Sequence, residues 1–268
     1  MTGPVVATVG TTHPLAFAGL VFAALALADD GVRPVCVVAG VSAQNAARVL
    51  DAQSVEPELI AAQFAALAAA GVGAFHVGAL VTAEAVRAVA AGLAAFPGIP
   101  VVVDPVLAAS GGDRIGEPAV RDALRDALFP CATLVTPNLD EASAFLGHPV
   151  DDVAGMEAAA PALLRWGSAS VLLKGGHLAG DAIDVLADAT SVRRFTSPRV
   201  ANTMRGTGDL LATTIAAGLA RGMPPASAIE RARERVARAI AAGVPFAGAR
   251  VAEVGLRAAD NRCGSRRE

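Results

Sequence analysis

Gly206-Thr207-Gly208-Asp209-Leu210-Leu211-Ala212-Thr213-Thr214-Ile215-Ala216-Ala217-Gly218-Leu219-Ala220 is a glycine-rich turn that runs straight into an uncharged stretch. The first two glycines let the backbone turn tightly and present several N–H groups together. The apolar run predicts a buried helix over residues 210–221, so those N–H groups sit at its positive end. Such a turn suits an oxyanion or a phosphoryl group in transit. Asp209 beside it is placed to take a proton from an attacking alcohol. The competing reading is structural: Thr207 and Asp209 cap a core helix and do no more.

Upstream, short β-branched runs alternate with Ala- and Leu-rich stretches over most of the 268 residues. Strands are predicted over 5–9, 35–41, 74–78, 101–104, 133–136 and 170–174, with a hairpin-like pair over 182–186 and 192–196. Helices are predicted over 15–28, 57–70, 82–96, 118–128, 140–146, 156–166 and 226–242, besides the one at 210. Strands separated by helices of this length imply right-handed βαβ units, hence an α/β fold with a mostly parallel central sheet. One domain over residues 1–260 is expected, followed by a polar tail over 261–268 that frays.

Polar residues stand at the carboxyl ends of successive apolar strands: Asp104, Asn138, Lys174 and then the Gly206 turn. In a parallel sheet those ends share one edge, where open α/β sheets bind ligands. Lys174 is the only lysine in the chain. It opens Lys174-Gly175-Gly176-His177 and is suited either to neutralising a nucleotide phosphate or to a plain surface position. Asn138 and Glu141, three apart, fit a helix capping box. They equally fit a pair that organises Mg²⁺ and its waters. Asp104 ends the wholly apolar Val101-Val102-Val103, where a carboxylate is more often functional than decorative. No Gly-x-x-x-x-Gly-Lys-Ser/Thr loop is present, and Gly206-Thr207-Gly208 lacks the further glycine of a dinucleotide fingerprint.

Composition narrows the partners. One Trp, no Tyr and a net charge of −3 supply neither stacking platforms nor a basic footprint, so no nucleic-acid partner is expected. Residues 1–28 hold no Asp, Glu, Lys or Arg, yet no basic segment precedes the apolar run over 15–28, which is short for a membrane span. No membrane association is expected. Cys36, Cys131 and Cys263 are far apart and suggest neither disulfides nor a zinc site, which fits a cytoplasmic protein.

Asp104-Pro105-Val106, Thr136-Pro137-Asn138-Leu139-Asp140-Glu141-Ala142, Lys174-Gly175-Gly176-His177 and Gly206-Thr207-Gly208-Asp209, taken together and in this order, resemble the ribokinase-like superfamily. Within it the chain is most similar to hydroxymethylpyrimidine/phosphomethylpyrimidine kinases of thiamin biosynthesis. Ser42-Ala43-Gln44-Asn45-Ala46 looks like that family's substrate-side segment. The resemblance implies a three-layer α/β/α ribokinase-like fold, ATP and Mg²⁺ as cofactors, a small heteroaromatic alcohol as acceptor, and a homodimer. It implies that Gln44 hydrogen-bonds the pyrimidine, with Gly10, Gly78 and Asp104 as further acceptor-side positions. Gly206, Thr207, Gly208 and Asp209 would form the catalytic turn. Asn138, Lys174 and Gly175 would meet ATP, and Glu141 with Asp104 would support the metal.

Two departures stand out. The family usually has Cys where this chain has Asp209, whereas pyridoxal kinases have Asp. The glycine-rich, acidic N-terminal loop of the family is here Gly10-Thr11-Thr12-His13-Pro14-Leu15-Ala16-Phe17-Ala18-Gly19. His13 in that loop either touches a ring or phosphate or is simply a turn residue. Pyridoxal kinase and a non-catalytic vitamin-binding paralogue are the alternatives these departures leave open.

Overall fold

The computed structural model describes residues 3–109, 111–176 and 178–254; His177 and the tail over 261–268 lie outside the described residues. In chain order, β1 (Val5–Thr12) leads through α1 (Gly19–Asp29) to β2 (Arg33–Gln44), which folds straight back as β3 (Val49–Ser54). Then come α2 (Pro57–Ala66), β4 (Val72–Val77), α3 (Ala83–Leu93), β5 (Val101–Val103), α4 (Ala119–Ala123), β6 (Leu134–Val135), α5 (Leu139–Leu146), α6 (Val153–Leu164) and β7 (Ser170–Lys174). The chain finishes with β8 (Ala182–Asp188), β9 (Val192–Ser197), α7 (Thr207–Ala220), α8 (Pro225–Ala242) and a small hairpin of β10 (Val244–Phe246) and β11 (Ala249–Val251).

The nine-stranded sheet runs β3-β2-β1-β4-β5-β6-β7-β8-β9. The pairs from β2 through β7 are parallel, while β3, β8 and β9 are antiparallel additions at the two edges. Successive side chains on a strand point to opposite faces, and consecutive apolar residues therefore feed two cores. Ala7, Phe75, Val103, Val135 and Leu173 pack with α2 to α6. Their neighbours Val6, Ala74, Val102, Leu134 and Leu172 pack with α7 and α8 on the other side. A fully buried side chain such as Phe75 contributes about 2–3 kcal/mol through its burial. Helix α7 is buried almost all round, because the sheet, α1 and α8 enclose it.

Several boundaries differ from expectation for identifiable reasons. The first helix starts at Gly19 rather than at residue 15, because the chain passes through left-handed backbone at Ala16 (φ 48°) and Gly19 (φ 70°). Helix α7 starts earlier than expected, at Thr207, so the glycine turn is part of its first turn. The helix expected over 118–128 is α4 followed by a wider π-type turn over Leu124–Leu128. Strands β1 and β2 run on past residues 9 and 41, and β3 was not expected at all. Among the described residues, no helix is long and apolar enough to cross a membrane.

Candidate active site

The strand-end groups converge because the hydrogen-bond ladder continues one step past each strand. The Asp104 N–H donates to the Val77 carbonyl (2.8 Å), that of Thr136 to Val103 (2.9 Å), and that of Lys174 to Pro137 (2.8 Å). Asp104 and Lys174 are thereby set side by side: Nζ lies 2.7 Å from Oδ1. The Thr136 hydroxyl donates to the same carboxylate oxygen at 3.0 Å. Helix α7 closes over this pair at Gly208, where a Cβ would lie 3.1 Å from Asp104 Oδ2 and 3.4 Å from Lys174 Nζ.

The turn itself demands glycine at 206. Its φ is +77°, and a Cβ there would fall 2.3 Å from the Phe17 carbonyl oxygen. Gly206 is the N-cap residue of α7, and no side chain caps the helix. The capping role considered for Thr207 and Asp209 is thus not realised. Asp209 instead accepts the Gly19 N–H at 3.2 Å through Oδ2, which ties α7 to the start of α1. A helix start free of side-chain caps is a ready anion site.

At Asn138 the capping box is present: Asn138 Oδ1 accepts from the Glu141 N–H and Glu141 Oε2 from the Asn138 N–H, each at 2.8 Å. The same Glu141 carboxyl is buried close to Lys174 and Asp104. Burial raises its pKa to about 8, with the Asp104 charge adding and Lys174 opposing. Asp209 is raised to about 6, first by burial and then by Asp104, against the Gly19 amide and Lys174. For Lys174, burial pulls the ammonium down, but the carboxylates of Asp104 and Glu141 reverse this and leave it raised. Three carboxyls around one ammonium form a site short of positive charge. Among the described residues, no group of three His, Cys, Asp or Glu could hold a metal ion unaided. A cation that arrives with phosphate oxygens and keeps several waters fits this donor set, as Mg²⁺ does.

All of this lines one cleft of about 1280 Å³, whose wall includes Gln44, Asp104, Asn138, Glu141, Lys174, Gly206, Thr207, Gly208 and Asp209. Gly10, Gly78 and Gly175 are not among its lining residues. The Gly175 N–H is taken up by the Ile183 carbonyl (2.9 Å) and Asp184 Oδ1 (3.0 Å), so it belongs to the β7–β8 ladder. A Cβ on Gly78 would make an ordinary contact with Asp209 Oδ1 at 3.6 Å, so the space there does not itself demand glycine. A Cβ on Gly10 would meet the Ala79 carbonyl at 3.3 Å, so Gly10 serves strand packing. On the α8 side the cleft has an apolar wall of Leu211, Val236, Ala237 and Ile240; on the β1–β2 side lie Thr11, His13, Phe17 and Gln44.

Sequence reasoning assigned no role to Thr136, to the Gly19 amide or to Arg199. Arg199 bridges the carbonyls of Gly176 (2.6 Å), Gly180 (2.7 Å) and Asp181 (3.2 Å), fixing the loop that follows Lys174. Only Thr136, which lies inside the Thr-Pro-Asn motif, carried a usable signal.

Comparison with known proteins shows the family. A family model described as phosphomethylpyrimidine kinase matches residues 18–252. The hydroxymethylpyrimidine/phosphomethylpyrimidine kinase of Streptomyces coelicolor is 38% identical over 250 residues, covering 92% of this chain and 93% of that one. Its counterpart in Mycobacterium bovis is 36% identical over 251 residues, covering 92% and 91%. Among solved structures, Bacillus subtilis pyridoxal kinase in complex with ADP superposes with a TM-score of 0.85 at 26% identity, over 93% of this chain and 97% of that chain. Phosphomethylpyrimidine kinase from Clostridium difficile shares the fold, with a TM-score of 0.78 at 24% identity over 88% and 99%.

Proposed function

The chain belongs to the phosphomethylpyrimidine kinase family, and from that premise we propose how its own residues carry the reaction. It is a phosphotransferase of thiamin biosynthesis, moving the terminal phosphoryl group of ATP to the hydroxymethyl group of 4-amino-5-hydroxymethyl-2-methylpyrimidine. The observation that carries the residue assignments is that Asp209, the bare Gly206–Asp209 amides and the sole lysine line one cleft.

The acceptor alcohol lies against Asp209, which the Gly19 amide orients. With a pKa of about 6 the carboxylate is ionised at neutral pH and still basic enough to accept the hydroxyl proton as the O–P bond forms. The Gly206–Asp209 amides and Lys174 hold the charge of the moving phosphoryl group, which is the main work in this chemistry. Lys174 exchanges its Asp104 partner for a nucleotide oxygen. Gln44 hydrogen-bonds the acceptor ring, and the α8-side apolar wall holds the adenine. Mg²⁺ would be held by Asp104 and Glu141, through water, and would supply charge neutralisation at the phosphates. The relatives' names pair the alcohol with its monophosphate, and this chain is proposed to take both. It is also proposed to pair with a second copy of itself, which sedimentation would test.

Pyridoxal is the second reading, favoured by Asp209 and by the likeness to the Bacillus subtilis pyridoxal kinase. ATP consumption with hydroxymethylpyrimidine and pyridoxal in parallel, with and without Mg²⁺, decides between them. Higher kcat/KM for the pyrimidine with an absolute Mg²⁺ requirement is expected. Preference for pyridoxal would move the chain to vitamin B6 salvage.

A further inference from the structure

His13 is the first charged or titratable side chain met along the sequence, in the loop that joins β1 to α1. The residue is only 5% exposed, and the Ala18 backbone is the one partner beside its ring, so at least one imidazole nitrogen has no hydrogen bond within the protein. It lines the cleft that holds Asp209. Leaving a buried polar group unpaired is costly, so a ring held in this state needs a ligand to complete it.

The ring is also fixed in place. The Ala16 N–H closes a turn onto the His13 carbonyl (3.3 Å), with Ala16 held at φ 48°. The Phe17 ring packs on it, centroids 4.7 Å apart. Just before the turn, Thr11 is pinned to the Ala79 carbonyl by its N–H and by its hydroxyl, each at 2.9 Å. Gly19 touches it from the other side: a Cβ there would be 3.7 Å from His13 Cδ2. Gly19 is the residue whose N–H holds Asp209. The imidazole and the base are therefore both neighbours of Gly19 and line the same cleft.

We propose that His13 reads the polar edge of the acceptor, hydrogen-bonding the ring nitrogen or amino group of a heteroaromatic alcohol whose hydroxymethyl group faces Asp209. This rests on the kinase reading above and adds a specificity-determining residue to it. Burial lowers the imidazole's pKa, and the nearby Ala18 backbone offsets this only in part. A neutral imidazole has its donor and its acceptor on opposite sides of the ring, so one nitrogen is free to meet either the amine or the ring nitrogen of an aminopyrimidine edge. Among the described residues the other buried histidine is His76, whose Nδ1 is bonded to the Thr8 hydroxyl (3.0 Å) and whose Nε2 is also unpartnered, but it is not part of the cleft wall.

The test is acceptor and ATP kinetics of wild type, His13→Phe and His13→Gln, with hydroxymethylpyrimidine and pyridoxal. A second readout is the ¹⁵N NMR of the His13 ring in the wild-type enzyme on adding acceptor with ADP. His13→Phe should lower kcat/KM for the acceptor by roughly 10–100-fold, the range for one lost hydrogen bond to a buried partner. The KM for ATP should stay within about twofold, and His13→Gln should recover part of the loss. The ring ¹⁵N signals should shift on acceptor binding, which decides the matter even where His13→Phe does not fold. Unchanged acceptor kinetics in a folded His13→Phe, or unmoved ¹⁵N signals in an active wild type, overturns the role of His13 alone. Wild-type turnover with neither ring overturns the kinase reading and this inference with it.

Discussion

Lys174 is held 2.7 Å from Asp104, so the only lysine of the chain is already paired before a nucleotide arrives. Both side chains are largely buried, at 14% and 3% exposure. Breaking such a pair from one side leaves an uncompensated charge in the interior.

Lys174→Met should therefore affect two properties. Stability should fall by about 3–5 kcal/mol, the usual cost of orphaning a buried ion-pair partner. Activity should fall by about 10²–10³ in kcat, as for loss of one preorganised electrostatic donor. Urea unfolding and steady-state assays measure the two separately. Full activity in a folded Lys174→Met protein would remove the lysine from the phosphate site.

Asp209→Asn should cost about 10²–10⁴ in kcat if the carboxylate is the general base. Wild-type kcat/KM should rise with pH through about 6, as Asp209 ionises, and then level off. That acidic limb should vanish in the variant. A limb that survives the substitution belongs to another group.

Glu141 contributes to the dependence of stability on pH. Its carboxyl titrates near 8 in the fold against 4.5 in an ordinary setting. A raised carboxyl pKa means that the folded state binds the proton more tightly. The stability this group contributes is fully present below about 4.5 and is lost as the pH rises towards 8. Glu141→Gln keeps a residue able to close the capping box and removes the charge. Its Tm relative to wild type should therefore improve from pH 5 to pH 8.5, while the Mg²⁺ concentration needed for half-maximal rate should rise. A Tm difference that does not change with pH would show that the carboxyl is not titrating in this range.

Gly206 and Gly208 separate backbone from chemistry. Gly206→Ala forces a side chain into left-handed backbone and onto the Phe17 carbonyl, and should lose about 2 kcal/mol or more. Gly208→Ala lies in ordinary helix but presses on Asp104 and Lys174. It should keep its Tm within a few degrees and lose turnover. Calorimetry and activity assays should thus show both proteins losing turnover, with a large fall in Tm for Gly206→Ala alone.

The sheet was legible wherever a strand is buried on both faces, as in Val101-Val102-Val103 or Val171-Leu172-Leu173, because those strands read as continuous apolar runs. β3 was invisible because Val49-Leu50-Asp51-Ala52-Gln53-Ser54 is a half-exposed edge strand with no clean alternation. Leu15 to Ala18 looked helical by composition, and the left-handed turn at Ala16 was not encoded in any glycine or asparagine. At the site, Asp104, Asn138, Lys174 and the Gly206 turn were readable from their places at strand ends. The Gly19–Asp209 contact was not, since nothing local signals a bond between residues so distant in sequence.

That bond spans 190 positions. Contacts of such separation close late, after the local helices and neighbouring strands have formed. Regain of phosphoryl transfer on refolding should then lag behind regain of helical circular dichroism, and catalysis becomes the stricter gauge of a finished fold. A preparation trapped just short of docking its first helix onto its seventh would look native by spectroscopy and be inert.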